Sequence, residues 1–409
     1  MSKQTKKSLV PKLRFPEFRD AGEWEKKALR LVCNMRAGKF VKASDIQENY
    51  KNELYPCFGG NGLRGYTKTY THEGKYPLIG RQGELCGNVT FTGKKFHATE
   101  HAVVATPKSG INVVWLFYQL TNMDLNKFAT GQAQPGLSVK VLESITAKVP
   151  KKNKEQQKIA DCLSSIDDLI TAQTQKLDAL KAHKKGLMQK LFPAEGETVP
   201  KLRFPEFRNA GEWEEKKLGK LSTILRGGSP RPIDNYLTND KDGLNWLKIG
   251  DVDKEAKYIS LTEVKVKVSA LSKTREVHPG DLIMSNSMSF GRPYIMQIKS
   301  CIHDGWIAVT EISEKINIYF LYYFILSNNA QVYFTNAAAG GGIKNLNADI
   351  IKQLPVSYPK LEQEQQKIAD CLSSLDDLIT VQTQKLDALK THKKGLMQQL
   401  FPAMNEVGA

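Results

Sequence analysis

His97-Ala-Thr-Glu-His101 has the H-x-x-E-H spacing, in which two imidazoles on one helical turn can hold a zinc ion beside a carboxylate base. Its flanks argue against that chemistry: Lys94-Lys-Phe before it and Ala102-Val-Val-Ala-Thr after it read as turn and strand. At an offset of 204 the two histidines are matched by Cys301 and Gly305, so no metal site is expected. Pro16-Glu17 with Glu25-Lys-Lys27, repeated as Pro205-Glu206 with Glu214-Glu-Lys216, has the residue types of a nuclease P-D…E-x-K cluster around Mg²⁺. The same stretches carry Trp24 and Trp213 and open each half of the chain, which favours an interdomain clamp. There is no G-x-x-x-x-G-K-[ST] phosphate loop, no G-x-G-x-x-G after a strand, and no Asn-Pro-Pro-Tyr or Asp-Pro-Pro-Tyr. Gly340-Gly-Gly342 reads as a flexible loop. The six cysteines (33, 57, 86, 162, 301, 371) form no C-x-x-C and no disulfide framework, so a reducing compartment fits, with Cys162 and Cys371 as small fillers beside a helix. No catalytic residue is assigned.

The elements that carry these residues follow from an internal duplication. Val10 to Trp24 returns as Val199 to Trp213 at an offset of 189, and Glu155 to Pro193 returns as Glu364 to Pro402 at an offset of 209. The second repeat reads as a long helix of roughly 55 Å. Its apolar seam falls at Ile159, Leu163, Ile166, Ile170, Leu177, Leu180, Leu187 and Leu191, interrupted at Gln173 and Lys184. In the second copy the seam is Ile368, Leu372, Leu375, Ile379, Leu386, Leu389, Leu396 and Leu400, interrupted at Gln382 and Lys393. Two such seams are expected to bury each other as an antiparallel, coiled-coil-like pair with pseudo-two-fold symmetry, the polar positions setting the register. The alternative is that each helix packs only on its own globular block.

The chain has 409 residues and a formal charge of +16. Residues 1–150 carry +11, 151–197 carry +2, 198–361 carry +5 and 362–409 carry −2, so the excess lies in two separate blocks and points to a polyanion. The apolar run Tyr319–Leu326 is far below the ~18 residues that span a bilayer, and the first residues have no signal-like apolar region, so a soluble, cytoplasmic protein is expected. Both blocks alternate short β-type runs with glycine turns, and each holds one amphipathic helix, at Val113–Leu120 and Ile318–Ile325. The fold class expected is α+β.

A faint register at an offset of 204 aligns Ile79-Gly-Arg-Gln-Gly83 with Ile283-Met-Ser-Asn-Ser287, Gly87-Asn88 with Gly291-Arg292, and Ala105-Thr106 with Val309-Thr310. It sets Arg81 and Gln82 against Ser285 and Asn286, and Asn88 against Arg292. Arginine suits guanine, and glutamine or asparagine suits adenine, in the major groove, so one scaffold with different fingers would read two short sequences. The candidate DNA contacts in the first block are Arg64, Lys68, Arg81, Gln82, Asn88, Lys94, Lys95, Gln132 and Gln134. Those in the second are Arg226, Ser229, Arg231, Lys248, Ser285, Asn286, Ser287, Arg292, Lys344, Asn345 and Asn347.

The arrangement resembles the specificity subunit of type I restriction-modification systems over essentially the whole chain. The residues that carry the likeness are Glu155-Gln-Gln-Lys-Ile-Ala and Glu364-Gln-Gln-Lys-Ile-Ala, Gly228-Ser-Pro230, Trp246-Leu-Lys-Ile-Gly-Asp251 and Pro279-Gly-Asp-Leu-Ile283. To these are added Gly80-Arg-Gln-Gly83 with Gly87-Asn88, Gln134-Pro-Gly-Leu-Ser138, and Lys344-Asn-Leu-Asn347. The first block departs from the second in lacking the Gly-Gly-Ser-Pro and Trp-x-x-Ile-Gly-Asp signatures. The resemblance implies two target recognition domains alternating with two long spacer helices: residues 1–150, then 151–197, 198–361 and 362–409. It implies a double-stranded DNA partner with a bipartite, non-palindromic target. It also implies a non-catalytic chain at the core of a complex with two modification subunits, which use S-adenosylmethionine to methylate adenine N6, and two restriction subunits, which use ATP and Mg²⁺. A stand-alone DNA-binding regulator or architectural protein is the competing reading.

Overall fold

The computed structural model describes residues 9–131, 135–286, 291–338 and 346–403. Two compact units divide the chain, one made of residues 1–175 with 383–409 and the other of 176–382. Both boundaries fall inside the long helices, Asn153–Leu191 and Glu362–Leu400, each of 39 residues. Each unit therefore holds one block, the start of one long helix and the end of the other.

In the first unit a sheet runs in the order Cys33–Ala37, Ala102–Pro107, Tyr76–Gly80, Val89–Thr92. A second sheet runs Gly62–Thr67, Tyr55–Gly59, Lys95–Ala98, His72–Glu73, and Glu25–Ala28 pairs with Thr146–Val149. The second unit repeats the plan with added strands. Its first sheet is Thr223–Arg226, Trp306–Thr310, Leu282–Ser285, Pro293–Met296, Tyr258–Ile259, and Glu214–Lys217 pairs with Pro355–Tyr358. The expected strands and both short helices, Val113–Asn122 and Ile318–Ile325, are present. A further helix at Asn328–Ala338 follows in the second unit.

The repeated E-Q-Q-K segment ties each block to its helix. Glu155 accepts from Arg14 at 2.8 and 2.9 Å and from the Trp24 indole at 3.0 Å. Asn112 caps the helix at Val113 through its side-chain oxygen, donates its backbone N–H to Gln156 (2.9 Å), and donates its side-chain amide to Gln157 (2.6 Å). Lys158 pairs with Glu17 at 3.3 Å. The second unit makes the same bonds: Arg203 and Trp213 to Glu364, Asn317 to Gln365 and Gln366, and Lys367 to Glu206. The opening segments thus clamp a block onto the start of a helix within one unit.

Both long helices pack together. In the first unit Asp167 takes the Tyr118 hydroxyl (2.6 Å) and, from the second helix, the Lys393 ammonium (2.5 Å). In the second unit Asp376 takes the Tyr323 hydroxyl (2.6 Å) and the Lys184 ammonium. The lysines that interrupt the seams are thus ion-paired across the helices. Ile159, Leu163, Ile166, Leu177, Leu191, Ile368, Leu372, Leu375, Leu386 and Leu400 are buried; Ile170, Leu180, Leu187, Ile379, Leu389 and Leu396 are half-buried. The seam ends also enter the cores: Ile159, Leu163 and Leu400 pack with Trp24 and Trp115, and Leu191, Ile368 and Leu372 with Trp213 and Phe320. Cys162 and Cys371 pack half-buried against the same cores.

Candidate nucleic-acid interface

Backbone hydrogen bonds fix which positions of the two blocks correspond. The Arg81 N–H donates to His101 C=O (3.1 Å) and Arg81 C=O accepts from Leu137 (2.9 Å); Asn286 makes the same pair with Gly305 (3.0 Å) and Leu346 (3.0 Å). Arg81 therefore corresponds to Asn286, and the register expected for this strand is corrected by one residue. Core facing agrees. Ile79 packs with Trp115 as Leu282 and Met284 pack with Phe320, whereas Leu78 and Ile283 face the opposite side of their sheets. A one-residue slip flips every side chain, and Ser285 is indeed fully buried. The pairing of Ala105 with Val309 holds, since both face the helix side.

Around Asn286 the second unit gathers several polar groups. Gly227 and Gly228 are required by close approach, because a Cβ would come within 2.2 Å of His303 O and 2.5 Å of Lys273 O respectively. This approach lets Ser229 donate to Asp304 Oδ1 at 2.9 Å. Arg226 Nε donates to the Asp304 carbonyl (3.1 Å), and Arg231 lies 3.5 Å from Asp304 Oδ2. Burial alone would raise the Asp304 carboxyl; the Ser229 hydroxyl, His303, Arg226 and Arg231 outweigh it and hold it below the ordinary range. Lys248 pairs with Glu263 (3.3 Å) and Asp251 (3.4 Å), and the Trp246 of its motif is a buried core side chain. Arg292 donates to Glu255 C=O (2.9 Å) and lies over the Tyr294 ring. Asn347 caps the helix Ala348–Lys352.

In the first unit, Thr99 donates to Phe58 C=O as His303 donates to Leu247 C=O, so Gly59-Gly60-Asn61-Gly62 stands where the second unit has Lys248-Ile249-Gly250-Asp251. The glycines open a cleft of about 630 Å³ lined by Gly60, Asn61, Arg64, Gln82, Glu84 and His101, among others. Gly80 allows it, since a Cβ there would meet Gly60 O at 1.9 Å. Arg64 and Gln82 thus share one site. Arg81 adjoins it, its buried Nε without a hydrogen-bond partner among the described residues. Lys68, Asn88 and Lys94 are exposed but do not line the cleft, and Lys95 sits over Tyr70 beside Glu73. Gln132, Gln134, Ser287, Lys344 and Asn345, with the Gly340–Gly342 run, lie outside the described residues. Sequence reasoning missed Asp304 and Glu100; the signal was an ionisable residue at the same 204 offset in the turn before each central strand.

Neither catalytic pattern assembles. His97 lies on the strand Lys95–Ala98, with its ring nitrogens 2.9 Å from Thr69 Oγ1 and 3.1 Å from Lys39 O. Glu17 and Glu25 are paired separately, with Lys158 and with Lys27. Among the described residues no three His, Cys, Asp or Glu side chains are placed to hold a metal ion, and no helix is long and apolar enough to cross a membrane.

The family model for the type I restriction modification DNA specificity domain matches residues 21–182 and again 210–391. The chain belongs to that family. It is similar to the EcoprrI specificity subunit of Escherichia coli, 45% identical over 157 residues, covering 38% of this chain and 39% of that one. A putative specificity subunit of Haemophilus influenzae, S.HindORF215P, is 27% identical over 379 residues, covering 90% and 91% of the two chains. A type I system S subunit from M. genitalium shares the fold, with a TM-score of 0.67 at 17% identity over 97% of this chain and all of that one. A further fold match, TM-score 0.56 at 13% identity, comes from a structure of type I system assembly. As a specificity subunit this chain recognises DNA sequence, and the two matched segments contain, respectively, the cleft and the polar cluster described above.

Proposed function

We propose that the two blocks read the two halves of a bipartite, non-palindromic DNA target, the long helices acting as the ruler that sets the unread spacer. The observation that supports this reading is the correspondence of Arg81 with Asn286: one scaffold position carries a guanine-type donor in one block and an adenine-type amide in the other. The chain itself is non-catalytic and directs two modification subunits, which bind S-adenosylmethionine and methylate adenine N6. Two restriction subunits use ATP and Mg²⁺ for cleavage, and the complex works in the cytoplasm. The basic charge of each block supplies salt-dependent affinity, while the residues of the cleft and of the Asn286 cluster supply specificity. Sequencing the methylome of cells expressing the chain with its modification partner tests the proposal: one bipartite adenine-methylated motif is expected, and methylation without such a motif would refute it.

A further inference from the structure

Asp304 puts a carboxylate, which repels phosphates, among the candidate DNA contacts Arg226, Ser229, Arg231 and Asn286. It sits in the turn between the strands Ser300–Ile302 and Trp306–Thr310, beside the end of Thr223–Arg226. Its Oδ1 accepts from Ser229 at 2.9 Å and its Oδ2 lies 3.5 Å from Arg231, while its carbonyl accepts from Arg226 (3.1 Å) and Asn286 (3.4 Å). The Arg231 side chain is 82% exposed, so its guanidinium is tethered at one end and presents most of its donors outward. Glu100 holds the matching place in the first unit, next to His101, and its buried Oε2 has no hydrogen-bond partner among the described residues.

We propose that Asp304 is a positioning residue for base recognition: anchored by the Ser229 hydroxyl, it presets the remaining donors of Arg226 and Arg231 as one group and, by repelling phosphate oxygens, reserves that group for base edges. The assignment rests on the reading of this chain as a bipartite DNA reader. It differs from a purely structural role in one measurable way. Removing the charge lowers discrimination while raising affinity for arbitrary DNA, because the repulsion is gone and Arg231 is released toward phosphate. A residue that only held the fold would lower both.

The test uses the full chain co-expressed with its modification subunits, as wild type, D304N and D304A. The readouts are genomic adenine methylation and the affinity of the purified complexes for a random-sequence duplex at two salt concentrations. A bipartite wild-type motif is the control for the underlying reading; without it that reading fails first, and the inference with it. Given that motif, D304N should relax discrimination by roughly tenfold in the half assigned to residues 214–359 by block exchange, and leave the other half unchanged. Affinity for the random duplex should rise roughly threefold, with a steeper salt dependence. Unaltered second-half specificity in both variants would overturn the assignment. So would loss of methylation at all sites in both, or weaker random-duplex binding by D304N.

Discussion

Arg14 and Glu155, 141 residues apart in sequence, meet in a two-pronged ion pair whose side chains are 6% and 1% exposed, capped by the Trp24 indole. A buried pair of this geometry is destabilising to break because the surviving charge has no water around it. Arg14→Ala or Glu155→Ala should cost about 3–5 kcal/mol, read from the denaturant midpoint of the first unit's transition. Arg203→Ala or Glu364→Ala should do the same to the second unit.

Phe401 meets Trp24 edge-on at 6.1 Å, and Phe192 meets Trp213 at 6.5 Å. Each closes a core from the far end of a long helix. Phe401→Ala should therefore destabilise the first unit by about 3–5 kcal/mol and Phe192→Ala the second. Hydrogen exchange resolved by residue would show which core loosens; equal loosening of both cores by either substitution would contradict the assignment.

Exchanging residues 25–150 for the corresponding block of another member of the family should change one half of the methylated motif and leave the other intact. A change in both halves would refute the modular reading. Because residues 1–150 carry +11 against +5 for 198–361, the first block should also contribute more of the salt dependence, measured as the slope of affinity against salt concentration.

Insertion of one heptad at matching points in both long helices should lengthen the unread spacer in the methylome while both half-motifs stay the same. An unchanged spacer would rule out the helices as the ruler.

Burial pushes the Cys33 thiol up to about 12 and the Cys301 thiol up to about 11. The thiolate is the reactive form, so its fraction at pH 8 is very small at both sites. Iodoacetamide should leave these two unmodified in the native protein at pH 8 and label all six cysteines once urea unfolds it; rapid native labelling of Cys33 would contradict its placement.

The long helices and most strands were legible because their periodicity is a local signal, and even the clamp residues repeat visibly as Arg14/Arg203 and Glu155/Glu364. The partners of those residues were not legible, since Lys393 meets Asp167 across 226 positions and nothing local announces it. The strand register slipped because Ile79 and Ile283 look alike as letters, yet face opposite sides of their sheets. That slip set Arg81 opposite the buried Ser285 and Gln82, instead of Arg81, opposite Asn286. The polar cluster at Asp304 was hidden for a related reason: Ser229 reaches it over 75 positions through a glycine pair whose need becomes visible only when the backbones meet.

The division of the chain has a temporal consequence. The second unit, residues 176–382, is contiguous and is complete as soon as its last residue leaves the ribosome. The first unit takes its block from before residue 176, yet its core contains Leu400 and Phe401. Trp24 therefore waits until Phe401 has been made before its pocket is closed. During synthesis the order of completion is the reverse of the order of the blocks, and the half-finished first block is the species most in need of protection from aggregation.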